Sequence, residues 1–127
     1  MSGAPVRVLV YASAPAAGPD VIAEVYHRIS RELTGTPGLL GNELLRSAHD
    51  PAAHVVTSYW ADLKAFRSWE SGSDHRLTTA PLRPFQTPGW PAGIYQVVGT
   101  YPAGGRPWSP LGAPEPGVPL PGAREGR

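Results

Sequence analysis

The hydrophobic pattern at the start of the chain is that of a strand. In residues 6–12, Val6, Val8 and Val10 fall on one side; Leu9 and Tyr11, with Arg7, fall on the other. Both sides are apolar, so both are expected to be covered. The period then changes. Gly18-Pro19-Asp20 opens a helix, because Pro fits a first turn and Asp complements a helix N-terminus. Ile22, Val25, Ile29 and Leu33 recur at three- and four-residue spacing and mark its buried face. Gly35 stops it, with Pro37 just beyond. Residues 39–48 predict a second strand, 49–53 a connection, and 54–60 a third strand. Asp62 predicts an N-cap for a helix over 63–71 that buries Leu63, Phe66 and Trp69. Gly72 ends it, and a shorter helical piece follows over 74–79. Pro81, Pro84, Pro88 and Pro91 predict a long irregular connection, and residues 93–101 predict the last strand.

The order β-α-β-β-α-β is the split arrangement of ferredoxin-like α+β domains. It predicts a four-stranded antiparallel sheet with both helices on one face. Leu9, Tyr11 and Val55 then leave the other face apolar, which points to a back-to-back homodimer.

Composition narrows the chemistry. The 127 residues allow one domain. Eleven basic residues against ten acidic ones leave +1, too little to draw the chain onto nucleic acid or an acidic membrane. There is no cysteine, which excludes disulfides, thiolate catalysis and Cys-ligated metals. No apolar run approaches the roughly 20 residues of a membrane helix. The first five residues lead into the strand with no basic region or signal-type stretch, so a soluble cytoplasmic protein is expected. Residues 102–127 hold seven Pro and six Gly and predict an extended or disordered tail, with Trp108 its one large anchor. The folded domain is therefore placed at 5–101.

The stretch Gly38-Leu39-Leu40-Gly41, Leu44-Leu45-Arg46-Ser47, Asp50-Pro51, Tyr59-Trp60, Ala65-Phe66, Trp69 and His75 resembles the antibiotic biosynthesis monooxygenase family of dimeric α+β barrels. The resemblance covers residues 5–101 and implies a pocket between helices and sheet in each subunit. Its members differ in chemistry. Against the haem-degrading branch, Trp69 matches, but Tyr11 stands where an Asn is used and Thr79 where a His is used. Against the anthrone-oxidising branch, Trp60 matches the Trp ending the third strand. Phe66 stands for a Tyr there, and Val56 for an Asn.

What the resemblance implies is a small oxygenase that oxidises an aromatic polyketide-type intermediate in antibiotic biosynthesis. O₂ would be its co-substrate, and no cofactor would be tightly bound; reduced flavin stays open as a diffusing co-substrate. Such chemistry needs a dry aromatic slot, a base and a donor for a developing oxyanion. Trp60, Phe66, Trp69 and Val56 are the candidate slot. His75 is the candidate base, since an imidazole titrates near pH 6.5; its alternative is a structural role at the second helix. Tyr11 is a candidate donor, or else a residue of the barrel interface. His54 shares the side of Val56 and Trp60 and is a second polar candidate. Arg83, on the Pro-rich connection, can pair with a substrate carboxylate or phenolate. Phe85 and Trp90 are expected to anchor that connection. No metal site is expected, because His49 and His54 have no third ligand nearby. A cyclase or isomerase on the same scaffold, and a non-catalytic metabolite-binding accessory protein, remain the alternatives.

Overall fold

The computed structural model describes residues 3–72, 74–104, 106 and 110. Most of the expected tail, Trp108 included, lies outside them. The elements run β1 (Val6–Ser13), α1 (Val21–Glu32), β2 (Leu39–Arg46), β3 (Ala53–Trp60), α2 (Leu63–Glu70), α3 (His75–Thr79), a 3-10 helix (Ala80–Phe85) and β4 (Gly93–Gln96). The sheet order is β2-β3-β1-β4, with every neighbouring pair antiparallel. This is the α+β ferredoxin-like fold read from the sequence.

Both helices lie on the face that carries Val6, Val8, Val10 and Ala12. Ile22 and Ile29 of α1 pack there with Ala12, Ala14 and Leu82. Phe66 of α2 packs with Val6, Val8 and Trp60. Asp62 caps α2 as expected, its side chain accepting from the Ala65 N–H at 2.8 Å. Gly38 brings α2 close to the start of β2. Its φ is 80°, and a Cβ there would run into the Ala65 side chain. The Ala61 N–H donates to the Gly38 carbonyl at 2.8 Å and ties the same corner.

Three boundaries differ from the sequence reading. β2 ends at Arg46 because Ser47 starts a turn, its Oγ accepting from the N–H groups of His49 and Asp50, each at 3.1 Å. β4 stops at Gln96 because its partner strand begins at Val6. One further bond, from the Val97 N–H to the Pro5 carbonyl at 2.8 Å, closes the ladder, and Pro5 has no N–H to return. Val98 is then 98% exposed.

The Pro-rich connection is the third difference, for part of it is regular. Pro81 and Pro84 sit within the 3-10 helix, whose short turns need few N–H donors. Gln86 then bridges to Ala12, and the Thr87 N–H donates to the Tyr11 carbonyl at 2.9 Å. Since β4 covers only Val6 to Leu9, the connection pairs with the rest of that edge of β1.

β2 carries a bulge. Leu39 lies opposite Trp60 and Gly41 opposite Tyr59, so Leu40 is the extra residue. It changes the phase of the strand. Leu39, Asn42 and Leu44 all face the helices, whereas strict alternation from Leu39 would turn Asn42 away.

Candidate active site

A cavity of about 240 Å³ lies between the helices and the sheet, lined by members of both core clusters. The strands supply its floor. One row of paired residues crosses the whole sheet: Asn42, Ser58, Val8 and Ile94. Val10 and Val56 make the next row. Tyr26, Ile29 and Ser30 line it from α1, with Leu33 just beyond the helix end. Cavities for drug-sized ligands run to about 300–1,000 Å³, so this one suits a small, flat, largely apolar molecule.

An aromatic wall forms one side. The Trp60 ring is T-shaped to Phe66 at 5.4 Å between centroids and tilted against Trp69 at 5.3 Å. Trp60 is 1% exposed, and its indole N–H donates to Ser58 Oγ at 2.9 Å. The wall continues into His75, whose imidazole meets the Trp69 ring edge-on at 4.4 Å. β3 ends at Trp60, one turn of α2 separates Phe66 from Trp69, and α3 begins at His75. The four rings therefore come from three consecutive elements.

His75 is half-buried. Burial pushes its pKa below the ordinary imidazole value; Glu70 opposes that shift, while Arg83 and Arg76 add to it. The ring is thus neutral near pH 7 and able to accept a proton. Among the described residues neither of its ring nitrogens has a hydrogen-bond partner. Glu70 and Arg83 also line the cavity. Arg83 is exposed, at the rim, held by bonds from Nη2 to the Arg76 carbonyl at 3.2 Å and to Thr79 Oγ1 at 3.4 Å. Among the described residues the one ion pair is Arg67–Glu70, which leaves the Arg83 guanidinium without a carboxylate.

The sequence model of the antibiotic biosynthesis monooxygenase family matches residues 6–80. The chain belongs to that family. Among proteins similar to it are SchA of Streptomyces halstedii, 27% identical over 64 residues, and the 42.8 kDa protein in the whiE locus of Streptomyces coelicolor, 26% identical over 80 residues. Those stretches cover 50% and 63% of this chain but only 17% and 20% of the two proteins, so the chain spans about a fifth of their length. A crystal structure of SnoaB, a cofactor-independent oxygenase from Streptomyces nogalater, superposes with a TM-score of 0.68 at 21% identity, covering 79% of this chain and 99% of that one. At that identity the likeness is one of fold.

Seen as a member of this family, the chain brings six of its eight candidate residues together. Trp60, Phe66, Trp69, Val56, His75 and Arg83 all line the cavity. Two do not line it. Tyr11 stands on the opposite face of the sheet, because it alternates with the cavity residue Val10; its ring packs edge-on against Trp90 at 5.1 Å. His54 shares the helix side but sits at the far end of β3 from Trp60, opposite Ala12 and Arg46. It is buried there, with Nδ1 3.0 Å from the Ala52 carbonyl oxygen. Phe85 packs on the first core cluster, whereas Trp90 is largely exposed and only leans on Tyr11.

The polar lining on the α1 side was missed. Asn42 Oδ1 accepts from the Tyr26 hydroxyl at 2.5 Å and from Ser30 Oγ at 3.3 Å. Tyr26 and Ser30 are four apart and so share one helix face, a spacing visible in the sequence. Their partner was not visible, because the bulge at Leu40 decides which way Asn42 points. Among the described residues, no helix is long and apolar enough to cross a membrane, and no group of three or more His, Asp and Glu side chains could hold a metal.

Proposed function

We propose that the chain is a small oxygenase that oxidises an aromatic polyketide-type intermediate, using O₂ and no tightly bound cofactor, and that it works as a homodimer. The observation that carries this reading is the continuous aromatic wall ending in His75, a cavity-lining imidazole whose ring nitrogens have no hydrogen-bond partner among the described residues. A flat, electron-rich substrate stacks against Trp60 and Trp69. His75 takes a proton from it. The resulting anion passes one electron to O₂, and the two radicals combine at carbon. Loss of water then converts a ring CH₂ to a carbonyl: one oxygen atom stays in the quinone and the other leaves in water. Arg83 at the rim binds a peripheral carboxylate or phenolate. The family membership and the SnoaB-like fold support the same reading.

Oxygen uptake by the purified protein with a hydroxylated anthrone, with and without reduced flavin, tests it. Uptake without flavin that yields quinone is the expected result. The pH profile of kcat/KM should rise as His75 loses its proton, with its midpoint below 6.5 because burial lowers that pKa. His75→Gln should lower turnover by about a hundredfold and remove that limb. An unchanged rate would assign His75 to structure. Anthrone binding without uptake would favour a cyclase, which needs the same slot and base but no oxygen; Val56, where the anthrone oxidisers carry an Asn, is the feature on that side.

A further inference from the structure

We propose that Asn42 and Ser58 form a donor pair that binds the substrate oxygen as it becomes an oxyanion. This assignment rests on the oxygenase reading above and supplies what that reading lacks, a place for the negative charge left when His75 takes the proton.

Three observations carry it. The Asn42 carboxamide is fixed from one side only. Its Oδ1 accepts from Tyr26 and Ser30, which occupies both lone pairs. Its Nδ2 keeps two N–H donors, and among the described residues no protein acceptor meets them. Ser58 is in the complementary state. Its Oγ accepts the Trp60 indole N–H, so its own O–H is left to donate. The two residues are direct cross-strand partners, and both line the cavity. Side chains so paired stand about 5 Å apart, close enough to share one ligand oxygen.

The surroundings select the ligand. Val8, Val10, Val56 and Ile94 flank the pair, so its hydrogen bonds act in an apolar, low-dielectric space. Tyr26, Ser30, Asn42 and Ser58 offer dipoles and no full positive charge. That suits a delocalised phenolate or enolate oxygen on a fused-ring system. A phosphate or a simple carboxylate concentrates more charge and calls for a cation. Tyr26 and Ser30 are then positioning residues that aim the amide.

A hydroxyanthraquinone dye, whose colour reports its ionisation, tests the pair apart from turnover. Bound to the full chain and titrated with pH, the dye should ionise about one unit higher in Asn42→Ala and in Ser58→Ala than in the wild type. That is about a tenfold loss of preference for the anion. His75→Gln should leave this difference intact while lowering turnover about a hundredfold. Variants that bind the dye and ionise it as the wild type does would overturn the donor pair and leave the oxygenase reading standing. A wild type that binds no dye would remove the aromatic slot and the assignment with it. If Asn42→Ala does not melt cooperatively, Ser58→Ala, which keeps every backbone bond of β3, decides alone.

Discussion

The two faces of the sheet are built from the same alternating strands, yet they hold their polar groups differently. On the helix face, Asn42 and Ser58 are each tied at one atom and open at another, beside a cavity. On the open face one polar pair is closed on itself. The Tyr59 hydroxyl donates to Glu43 at 2.6 Å, and the Arg7 guanidinium lies 4.7 Å from the centre of the Tyr59 ring. Leu9, Tyr11 and Val55 lie half-buried around them, with Leu45 and Tyr95 exposed. A hydroxyl and carboxylate that already bond each other leave the Tyr59 donor satisfied when another surface approaches. Polar atoms left open in an apolar cavity are suited to a ligand instead. Under the proposed function, the first face is the reaction chamber and the second is the surface a homodimer would use.

Trp60→Ala should have the largest effect. It removes the largest fully buried side chain and the hub of the aromatic wall, and should cost about 3–5 kcal/mol in a denaturant titration. A loss under about 1 kcal/mol would mean that the wall is a ligand platform with little structural weight. Next comes the open face. Leu9 is at its middle, paired with Thr57 on one side and Gly93 on the other. Leu9→Arg should weaken self-association by at least about 2 kcal/mol, roughly thirtyfold, while leaving the melting of the monomer cooperative. Light scattering reads this directly. A wild-type chain that runs at its monomer mass of 13.5 kDa would end the homodimer proposal.

Legibility differed between the faces for a physical reason. The β1 pattern, the α1 stripe and the Asp62 cap are local signals, and the structure carries them as read. Trp60, Phe66, Trp69 and His75 converge because consecutive elements are adjacent in space, so the sequence resemblance could point to them. Asn42 could not be read. The run Leu39-Leu40 followed by Leu44-Leu45 fits either phase of β2, and only the bulge at Leu40 lets Leu39 and Leu44 face the same side. Tyr11 reads two ways: alternation puts it with Leu9, away from Val10, as the structure has it, whereas its hydroxyl makes it a candidate donor. The short β4 depends on where β1 begins, which is a long-range pairing.

Tyr59→Phe gives the smallest effect and the sharpest test of the open face. Tyr59 is 6% exposed, and its pKa is pushed up to about 12, first by burial and then by the hydrogen bond and charge of Glu43; Arg7 works in the other direction. Unfolded tyrosine titrates near 10. Between about pH 10 and 12 the unfolded chain therefore gives up this proton while the folded chain holds it, and stability falls as pH rises through that window. Tyr59→Phe should flatten the alkaline loss. At neutral pH it should cost about 1 kcal/mol, the net worth of one hydrogen bond to a half-exposed carboxylate. Repeating the melts across a range of protein concentrations separates the two roles of this face. If a second copy covers Glu43 and Tyr59, the penalty grows as the dimer forms, because the carboxylate is then left without its donor away from water. A penalty that is the same at every concentration would place the cluster outside the interface.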